Sequence, residues 1–424
     1  MQRRRLVVVL GALSAFGPLS IDFYLPGLPR LTSDFDASAS AGQLTLTACL
    51  LGLAFGQLAF GPLSDRFGRR PPLIAGLIVY CGASLACGAA QDVWTLVALR
   101  LLQGLGGSSG IVIARSIVRD LRSGVGAARL FSIIMVVVGV VPFLAPIVGG
   151  ALLHATTWRG LFVILGVVDA VILAGVLGWL PETLPHERRQ RGGQTAAGFL
   201  QLLDDRIFLM YAAVLGLNFA AMFSYIAGSS FVLEDIYGVS PQEYGLIFGI
   251  NALGIVACSQ VNRALVARAS PERMLLAGVC AGTTGGVALL VVVLAGGIGL
   301  AGILPCLFVC VSSVGLVIPN ATALALTDYP HAAGSAAAML GTAQFVFGGA
   351  AAPLVGVAGR ETAVPMALMM ALFGACALIA LGVANHVRRP RVGPQPAERR
   401  EIRRPGRARC SGSDGTRSWG RTRP

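Results

Sequence analysis

Three ionisable side chains lie inside long apolar segments, where a charge is rare and usually functional. Asp22 and Asp169 are acids that can bind and release a proton, whereas Arg100 stays charged. Asp22 lies about seven residues, roughly 10 Å of helix, from the C-terminal end of its segment, and Arg100 lies about as far from the N-terminal end of an antiparallel one. We therefore expect Asp22 and Arg100 to face each other, with Arg100 keeping the proton affinity of Asp22 low enough for release.

Each of these groups also has a purely structural interpretation. Asp22 and Arg100 could form a static ion pair that fixes helix packing. Asp169 has no obvious partner in the sequence, and a charged carboxylate facing lipid would cost about 3 kcal/mol. For Asp169 we expect a hydrogen bond to a neighbouring helix, with proton coupling as the alternative.

A short charged stretch, GPLSDRFGRR at residues 61–70, separates two other apolar segments. Pro62 and Gly68 predict that it is a turn at the membrane surface. A carboxylate facing a helix N-terminus gains up to about 1–2 kcal/mol, enough to bias one conformation of a moving protein. The arginines could do no more than mark the topology. The candidate conformational residues are Gly61, Asp65, Arg66, Gly68 and Arg69.

Another segment carries residues that act on the backbone. Its prolines each remove a helix N–H, and its glycines allow close approach, so we expect a kinked and tightly packed helix. These residues are Pro142, Ala145, Pro146, Gly149 and Gly150.

Polar side chains on further segments are candidates for lining a cavity, and interhelical hydrogen bonds are the alternative. Tyr24 could instead offer an aromatic surface to a lipophilic cation. The candidates are Tyr24, Asn218, Tyr225, Ser229, Asn251, Asn320 and Gln344.

The elements that position these residues follow from composition. The chain has 424 residues, 55% of them hydrophobic and 12% charged, which excludes a soluble globule and predicts an all-α membrane protein. Twelve apolar segments are long enough to span a bilayer. They cover about residues 6–29, 41–62, 72–90, 94–116, 128–152, 158–180, 207–232, 244–265, 274–295, 299–324, 333–357 and 364–386.

The distribution of arginine tests this topology independently. Alternate connections carry seventeen arginines against three on the opposite side, so the positive-inside rule places both termini in the cytoplasm. We expect a multi-pass protein of the bacterial cytoplasmic (inner) membrane, in contact with the lipid bilayer and monomeric.

The twelve spans divide six and six. We predict a first six-helix bundle over residues 1–180, a cytoplasmic linker over 181–205 and a second bundle over 206–386, with a substrate site between the two pseudo-repeats. Residues 387–424 are predicted to form a disordered basic tail, with twelve arginines against three acids. We expect that tail to meet lipid headgroups and not nucleic acid.

Several functions are excluded or made improbable by what the sequence contains. There is no lysine, so no Walker A loop or Schiff base can form and ATP cannot drive this chain directly. Eight of nine cysteines lie in predicted spans as small apolar residues, and no metal site or hydrolytic constellation can be assembled. We expect a protein that is not an enzyme and needs no cofactor, driven by the proton gradient.

The 61–70 stretch resembles the loop 2–3 signature of the major facilitator superfamily, and other stretches resemble its bicyclomycin-resistance (Bcr/CflA) branch of drug:proton antiporters. These are DFYLP at 22–26, RLLQG at 100–104, PxxAPxxGG at 142–150, PETL at 181–184 and PNA at 319–321. The resemblance implies that Asp65 locks the cytoplasmic side through the start of span 11, that the 142–150 stretch gates between the halves, and that acids in the first half couple protons to drugs.

From the residues and this resemblance we expect a secondary transporter that exports small amphipathic drug-like compounds in exchange for protons by alternating access, with Asp22 as the proton carrier. Export of an endogenous metabolite, such as an amino acid or sugar derivative, on the same fold is the alternative. A scaffold or receptor would not need Asp22 inside a span and would tolerate Asp22→Ala.

Overall fold

The computed structural model describes residues 2–121, 137, 140–185, 202–296, 298–327, 329, 333–357 and 362–388. We number its helices by the span to which they belong. They are α1 (three pieces, Gln2–Ser14, Phe16–Asp22 and Leu28–Asp34), α2 (Ala39–Phe67), α3 (Arg70–Gly88), α4 (Val93–Leu121), α5 (Val140–Leu152), α6 (Trp158–Trp179), α7 (Arg206–Ser230), α8 (Pro241–Ala269), α9 (Pro271–Ala295), α10 (Leu300–Ser312 and Val314–Leu326), α11 (Ala333–Val355) and α12 (Val364–Arg388).

The predicted all-α membrane fold with twelve spans is confirmed. In the described part of the chain, ten helices, α2–α4 and α6–α12, are long and apolar enough to cross a membrane. The pieces of α1 pass the same test together, with a bend of 44° between them, and Val140–Leu152 is a shorter apolar helix. Three predicted parts lie wholly or partly outside the described residues: the start of the fifth span, most of the linker, and the basic tail after Arg388.

The charged stretch at 61–70 is not the turn that Pro62 predicted. α2 continues through Pro62 to Phe67, and only Gly68, with a φ of +94°, ends it. A proline removes one helical hydrogen bond, but α2 is held along its length by packing against α4 and α11, so the helix persists. Gly68 breaks it because that positive φ is readily adopted only by glycine. The connection between α2 and α3 is therefore just Gly68 and Arg69.

Small residues bring the helix backbones into contact. A Cβ on Gly52 of α2 would lie 2.3 Å from the carbonyl oxygen of Leu101, and a Cβ on Gly104 of α4 would lie 2.1 Å from that of Cys49. No side chain fits at these two positions, so main chain packs directly on main chain there. In the second half, α7 packs on α11 and α12, and α9 packs on α10 and α12.

The two halves meet mainly where α2 packs on α11 and where α5 packs on α8. The first turns of α2 and α8 and the last turns of α5, α7 and α11 share one end of the molecule. The arginine distribution predicts that this end faces the periplasm, and we call it the outer end. The opposite end, which holds Gly68 and Arg69, is the inner end.

Candidate functional site

Asp22 ends the second piece of α1 and is 5% exposed. Among the described residues, its carboxylate has no hydrogen bond and no ion pair. The groups close enough for its charge to act on are the phenols of Tyr225 and Tyr244, both in the second half. Asp22 thus faces across the junction between the halves, without a compensating cation.

Arg100 does not face Asp22, so the expected pairing is wrong. Its guanidinium is fully buried and donates to the carbonyl oxygen of Ser20 at 2.8 Å, to that of Thr45 at 3.4 Å and to the side chain of Gln103. Ser20 is among the last residues of a helix piece, whose carbonyls lack helical donors. The break in α1 therefore supplies the acceptor that draws Arg100 away from Asp22.

The surroundings of Arg100 form a packed polar core within the first half. The guanidinium lies 4.5 Å from the ring centre of Tyr24, and the Tyr24 hydroxyl is 2.9 Å from that of Thr45. Gln103 also donates to Ser84 at 2.7 Å. Tyr24 is fully buried here, so it packs against Arg100 and does not line an open cavity.

Four side chains of α7 and α8 form two hydrogen-bonded pairs, which we call the tyrosine cluster: Tyr225, Ser229, Tyr244 and Asn251. Asn251 donates to the Tyr225 hydroxyl at 2.9 Å, and the hydroxyls of Ser229 and Tyr244 are 3.1 Å apart. Three of these residues were predicted as cavity candidates, and the structure brings them together opposite Asp22. All four are buried.

Asp169 of α6 is fully buried, and Tyr80 and Cys81 of α3 lie close enough for its charge to act on them. It does not face lipid. The hydrogen bond that we expected is not found either, because neither carboxylate oxygen has a partner among the described residues. Asp169 on α6 and Asp22 on α1 are thus two separate buried acids, neither with a partner among the described residues.

The remaining polar candidates of the second half lie apart from Asp22. Asn218 borders a small cleft among α7, α9, α10 and α12, and its side-chain oxygen has no partner in the described part of the chain. Asn320 of α10 donates to Asn262 of α8 at 2.6 Å, which is the interhelical hydrogen bond that we gave as the alternative to lining a cavity. It also donates to the Leu316 carbonyl of its own helix at 2.7 Å. Gln344 is half-buried on α11.

The halves are joined at the outer end by a set of contacts that we call the outer seam. Side chains donate to backbone carbonyls across it: Ser40 to Pro353 at 3.2 Å, Gln43 to Ala227 at 3.0 Å, Thr47 to Gly349 at 2.8 Å and Gln242 to Gly150 at 2.9 Å. The outer end is closed in this conformation.

The motif of α5 contributes to this closure through its glycines. A Cβ on Gly150 would lie 2.4 Å from the carbonyl oxygen of Pro241, which belongs to the second half. A Cβ on Gly149 would lie 2.0 Å from that of Phe23, just after Asp22. Pro142, Ala145 and Pro146 lie on the described helix Val140–Leu152, and the part of the span before it lies outside the described residues.

At the inner end, Arg69 binds two carboxylates. It donates to Asp65 at 2.5 Å and to Asp120 at 2.8 Å. Burial alone would lower the pKa of Arg69, but the hydrogen bonds to Asp120 and Asp65 raise it. Arg66 is exposed over the ring of Phe67 and Gly61 is half-buried on α2. Side chains at the start of α11 lie outside the described ones, so the predicted lock between Asp65 and span 11 stays a prediction.

Sequence reasoning gave Glu182 of the PETL stretch no role. Partial burial opposes its ionisation, but N–H donors of Leu184, Arg69, Arg70 and Thr183 bind its carboxylate and lower its pKa. Arg69 is the residue just before α3 and Arg70 is its first residue, so Glu182, which follows the end of α6, caps the N-terminus of α3. The signal that could have indicated a role for Glu182 is that it is an acid in the PETL motif directly after a predicted span.

Sequence reasoning also missed Tyr244 and Glu234. Tyr244 follows the capping sequence that starts α8 and is indistinguishable from a packing aromatic in the sequence. Glu234 comes after a predicted span end and reads as a surface acid.

Membrane-spanning helices in two halves, joined at one end near a buried acid that has no partner among the described residues, are features expected of a membrane transporter. The sequence matches the Major Facilitator Superfamily over residues 9–353, and the chain belongs to that superfamily. It is a transporter and not an enzyme.

Curated relatives extend the comparison over nearly the whole chain. An uncharacterized MFS-type transporter, YdgK of Bacillus subtilis (strain 168), is 38% identical over 387 residues, covering 90% of this chain and 96% of that one. A bicyclomycin resistance protein homolog of Haemophilus influenzae is 32% identical over 380 residues, covering 88% and 94%. Multidrug resistance protein MdtL of Salmonella heidelberg is 29% identical over 249 residues, covering 59% and 63%. The resemblance to the bicyclomycin-resistance branch is thereby confirmed.

Solved structures share the fold at low identity. A bacterial homologue of the human lysosomal transporter Spinster, in an inward-facing and unoccupied conformation, has a TM-score of 0.70 at 14% identity, covering 90% of this chain and 95% of that one. The POT family transporter PepTSo has a TM-score of 0.72 at 16% identity, covering 90% of this chain and 97% of that one.

Proposed function

We propose that this protein exports small amphipathic drug-like compounds in exchange for protons, by alternating access, with Asp22 as the proton carrier. The observation that carries the proposal is the position of Asp22: a nearly buried, unpaired carboxyl at the junction of the two halves. Relatives named for bicyclomycin and multidrug resistance support the substrate class.

The surroundings of Asp22 suggest how a proton and a substrate would exchange. Burying an unpaired charge is costly, so the closed outer end favours neutral, protonated Asp22. A cationic compound that enters from the inner end would favour the ionised form and so displace the proton inward. Opening of the outer end would then release the compound and let Asp22 meet protons from outside.

The same proposal specifies the membrane in which the protein works, its topology and its energy source. The protein works in the bacterial inner membrane with both termini in the cytoplasm, as a monomer in contact with lipid. The proton gradient supplies the driving force, so no cofactor is required, and the basic tail meets lipid and not nucleic acid. Asp169, buried away from the junction, is the alternative proton carrier.

The test uses protein reconstituted in liposomes with a lumenal pH dye and no imposed gradient. Cationic, neutral and zwitterionic compounds are added in turn, with tetraphenylphosphonium as the reference lipophilic cation. We expect compound-driven proton movement in the wild type and its loss in Asp22→Asn. Asp169→Asn is the matched control, since it removes a second unpaired buried acid away from the junction.

Proton movement that survives in Asp22→Asn but not in Asp169→Asn would transfer the coupling role to Asp169. Compound flux without proton movement in the wild type would contradict antiport. Proton movement driven by zwitterionic amino acid or sugar derivatives, and not by lipophilic cations, would favour the metabolite exporter.

A further inference from the structure

The contact between α2 and α11 continues beyond the outer seam toward the inner end. Thr47 of α2 makes the innermost of the seam's hydrogen bonds to α11, at 2.8 Å from the Gly349 carbonyl oxygen. Gln57 lies ten residues further along α2, about 15 Å nearer to the inner end. A Cβ on Gly341 of α11 would lie 3.4 Å from the side-chain oxygen of Gln57, so the two helices are still close at this level.

The side-chain amide of Gln57 has a donor without an acceptor. The residue is 6% exposed, and its nitrogen Nε2 is buried with no hydrogen-bond partner among the described residues. Gln43, the other glutamine of α2, instead donates its amide across the outer seam to the Ala227 carbonyl at 3.0 Å. Leaving a buried amide unpaired is costly, so packing of α2 on α11 gives no reason for a glutamine at position 57.

Helix α11 has a second unpartnered polar group at the same level. Thr342 directly follows Gly341, and its hydroxyl oxygen is buried with no partner in the described part of the chain. Thr342 lies seven residues before Gly349, which packs on Leu50 of α2, and residues seven apart share one face of a helix. The amide of Gln57 and the hydroxyl of Thr342 therefore belong to opposite halves and lie where α2 and α11 meet.

The chemistry of these two groups defines what they can bind. An amide N–H only donates, a hydroxyl donates or accepts, and a carbonyl oxygen accepts two hydrogen bonds. The sequence of α2 has no charged residue before Asp65, and α11 has none between residues 333 and 355. An anion would be left without a cation here, so the pair suits a neutral carbonyl oxygen.

The position of Gln57 separates this pair from Asp22. Tyr24, two residues after Asp22, is hydrogen-bonded to Thr45 of α2, with the two hydroxyl oxygens 2.9 Å apart. Gln57 lies twelve residues after Thr45, about 18 Å nearer to the inner end. A compound that enters from the inner end would therefore meet Gln57 before it reaches Asp22.

We infer that Gln57 and Thr342 form an inner subsite that binds a neutral carbonyl oxygen of the compound on its way to Asp22. The inference rests on the proposed function, since it names a chemical group that the exported compounds carry. Asp22 recognises their positive charge, and the inner subsite recognises their carbonyl. A compound without a carbonyl leaves the buried N–H unpaired and binds more weakly.

The test compares two lipophilic cations that differ in a single group. Phenacyltriphenylphosphonium carries a carbonyl, and its 2-phenylethyl analogue has a methylene group in that place. Binding of each to the purified protein in detergent is measured by calorimetry. We expect the wild type to bind the carbonyl compound about five- to tenfold more tightly, because one hydrogen bond to a buried amide is gained.

Gln57→Leu keeps the bulk of the side chain and removes its amide, so it should abolish this preference while the analogue still binds. Thr342→Val, which replaces a hydroxyl by a methyl group, should reduce the preference as well. Thr283→Val is the matched control. The Thr283 hydroxyl already donates to the Val279 carbonyl of its own helix at 2.8 Å, so its loss should leave the preference as in the wild type.

Proton movement driven by both compounds is measured in liposomes beside binding, so that the two proposals can fail separately. Equal affinities in the wild type, or a preference that persists in Gln57→Leu, would overturn the inner subsite while leaving Asp22 as proton carrier. The same loss of preference in Thr283→Val would also overturn it. No binding and no proton movement with either compound would overturn the proposed export of lipophilic cations together with the subsite.

Discussion

At the scale of single residues, the sequence identified the buried charges but not their partners. Asp22, Arg100 and Asp169 are all buried, as expected for intramembrane ionisable groups. Equal depth suggested that Asp22 and Arg100 pair, yet the broken helix α1 presents a free carbonyl to Arg100. Which acceptor an arginine takes depends on local backbone breaks, and those follow from packing that the sequence pattern does not contain.

Glu182 gives a prediction at this scale. Glu182→Gln removes the charge that accepts the first N–H groups of α3, so it should destabilise the protein by about 0.5–1 kcal/mol at neutral pH. Thermal unfolding in detergent measures the difference. Thr183→Ala, which leaves that carboxylate in place, is the control.

The pH dependence of that difference has a definite sign. The pKa of Glu182 is lowered from its ordinary 4.5, so its stabilisation is complete above that value and is lost as the pH falls through the lower folded-state pKa. The gap between wild type and Glu182→Gln should hold at about pH 5 and shrink only in more acidic solution. A gap that closes already near neutral pH would contradict this assignment.

At the scale of elements, the spans were predictable and their ends were not. Long apolar stretches give the number of helices because the bilayer fixes the length of a span, and the direction that the arginine asymmetry predicts for them stays a prediction. The persistence of α2 through Pro62 was not predictable, because contacts with α4 and α11 that hold the helix are distant in sequence. The glycines of α5 were predicted to allow close approach, but only the structure gives their partners.

Gly150→Ala is the prediction for the α5–α8 contact. The added methyl would lie 2.4 Å from the Pro241 carbonyl oxygen, so the outer seam cannot close without displacement of the backbone. An overpacking cost of about 1–3 kcal/mol on the closed conformation should lower the transport rate about five- to a hundredfold. Gly178→Ala, where nothing lies within 4 Å of the new atom, is the control.

Transport by Gly150→Ala is measured in liposomes beside thermal stability in detergent. Reduced transport with wild-type stability locates the effect in the closure of the seam. Unchanged transport would mean that this contact is not part of the cycle.

At the scale of the whole molecule, the structure shows one conformation, with the outer end closed, and the proposed transport cycle requires a second one in which it opens. The twelve-helix arrangement was predictable from the sequence, but the conformation was not, because apolar segments indicate which helices span the bilayer and not how the two halves meet. Alternating access requires α2 and α11 to separate at the outer end.

A disulfide between these helices tests that requirement. A Cβ on Gly349 would lie 3.5 Å from the Cβ of Leu50, a separation that suits a disulfide. In a background without the native cysteines, Leu50→Cys with Gly349→Cys should lose transport on oxidation and regain it on reduction. The Leu50→Cys single variant should be insensitive to oxidation, and transport by the oxidised pair would show that the outer end need not open there.

The hydrogen bonds of the outer seam have one further consequence. Three of the four donors, Ser40, Gln43 and Thr47, are side chains of α2, and their acceptors in α7 and α11 are main-chain carbonyls. A main-chain carbonyl still accepts its hydrogen bond after any side-chain substitution that keeps the backbone in place. Side chains at these positions of the second half can therefore change over evolutionary time without loss of the hydrogen bonds that α2 donates.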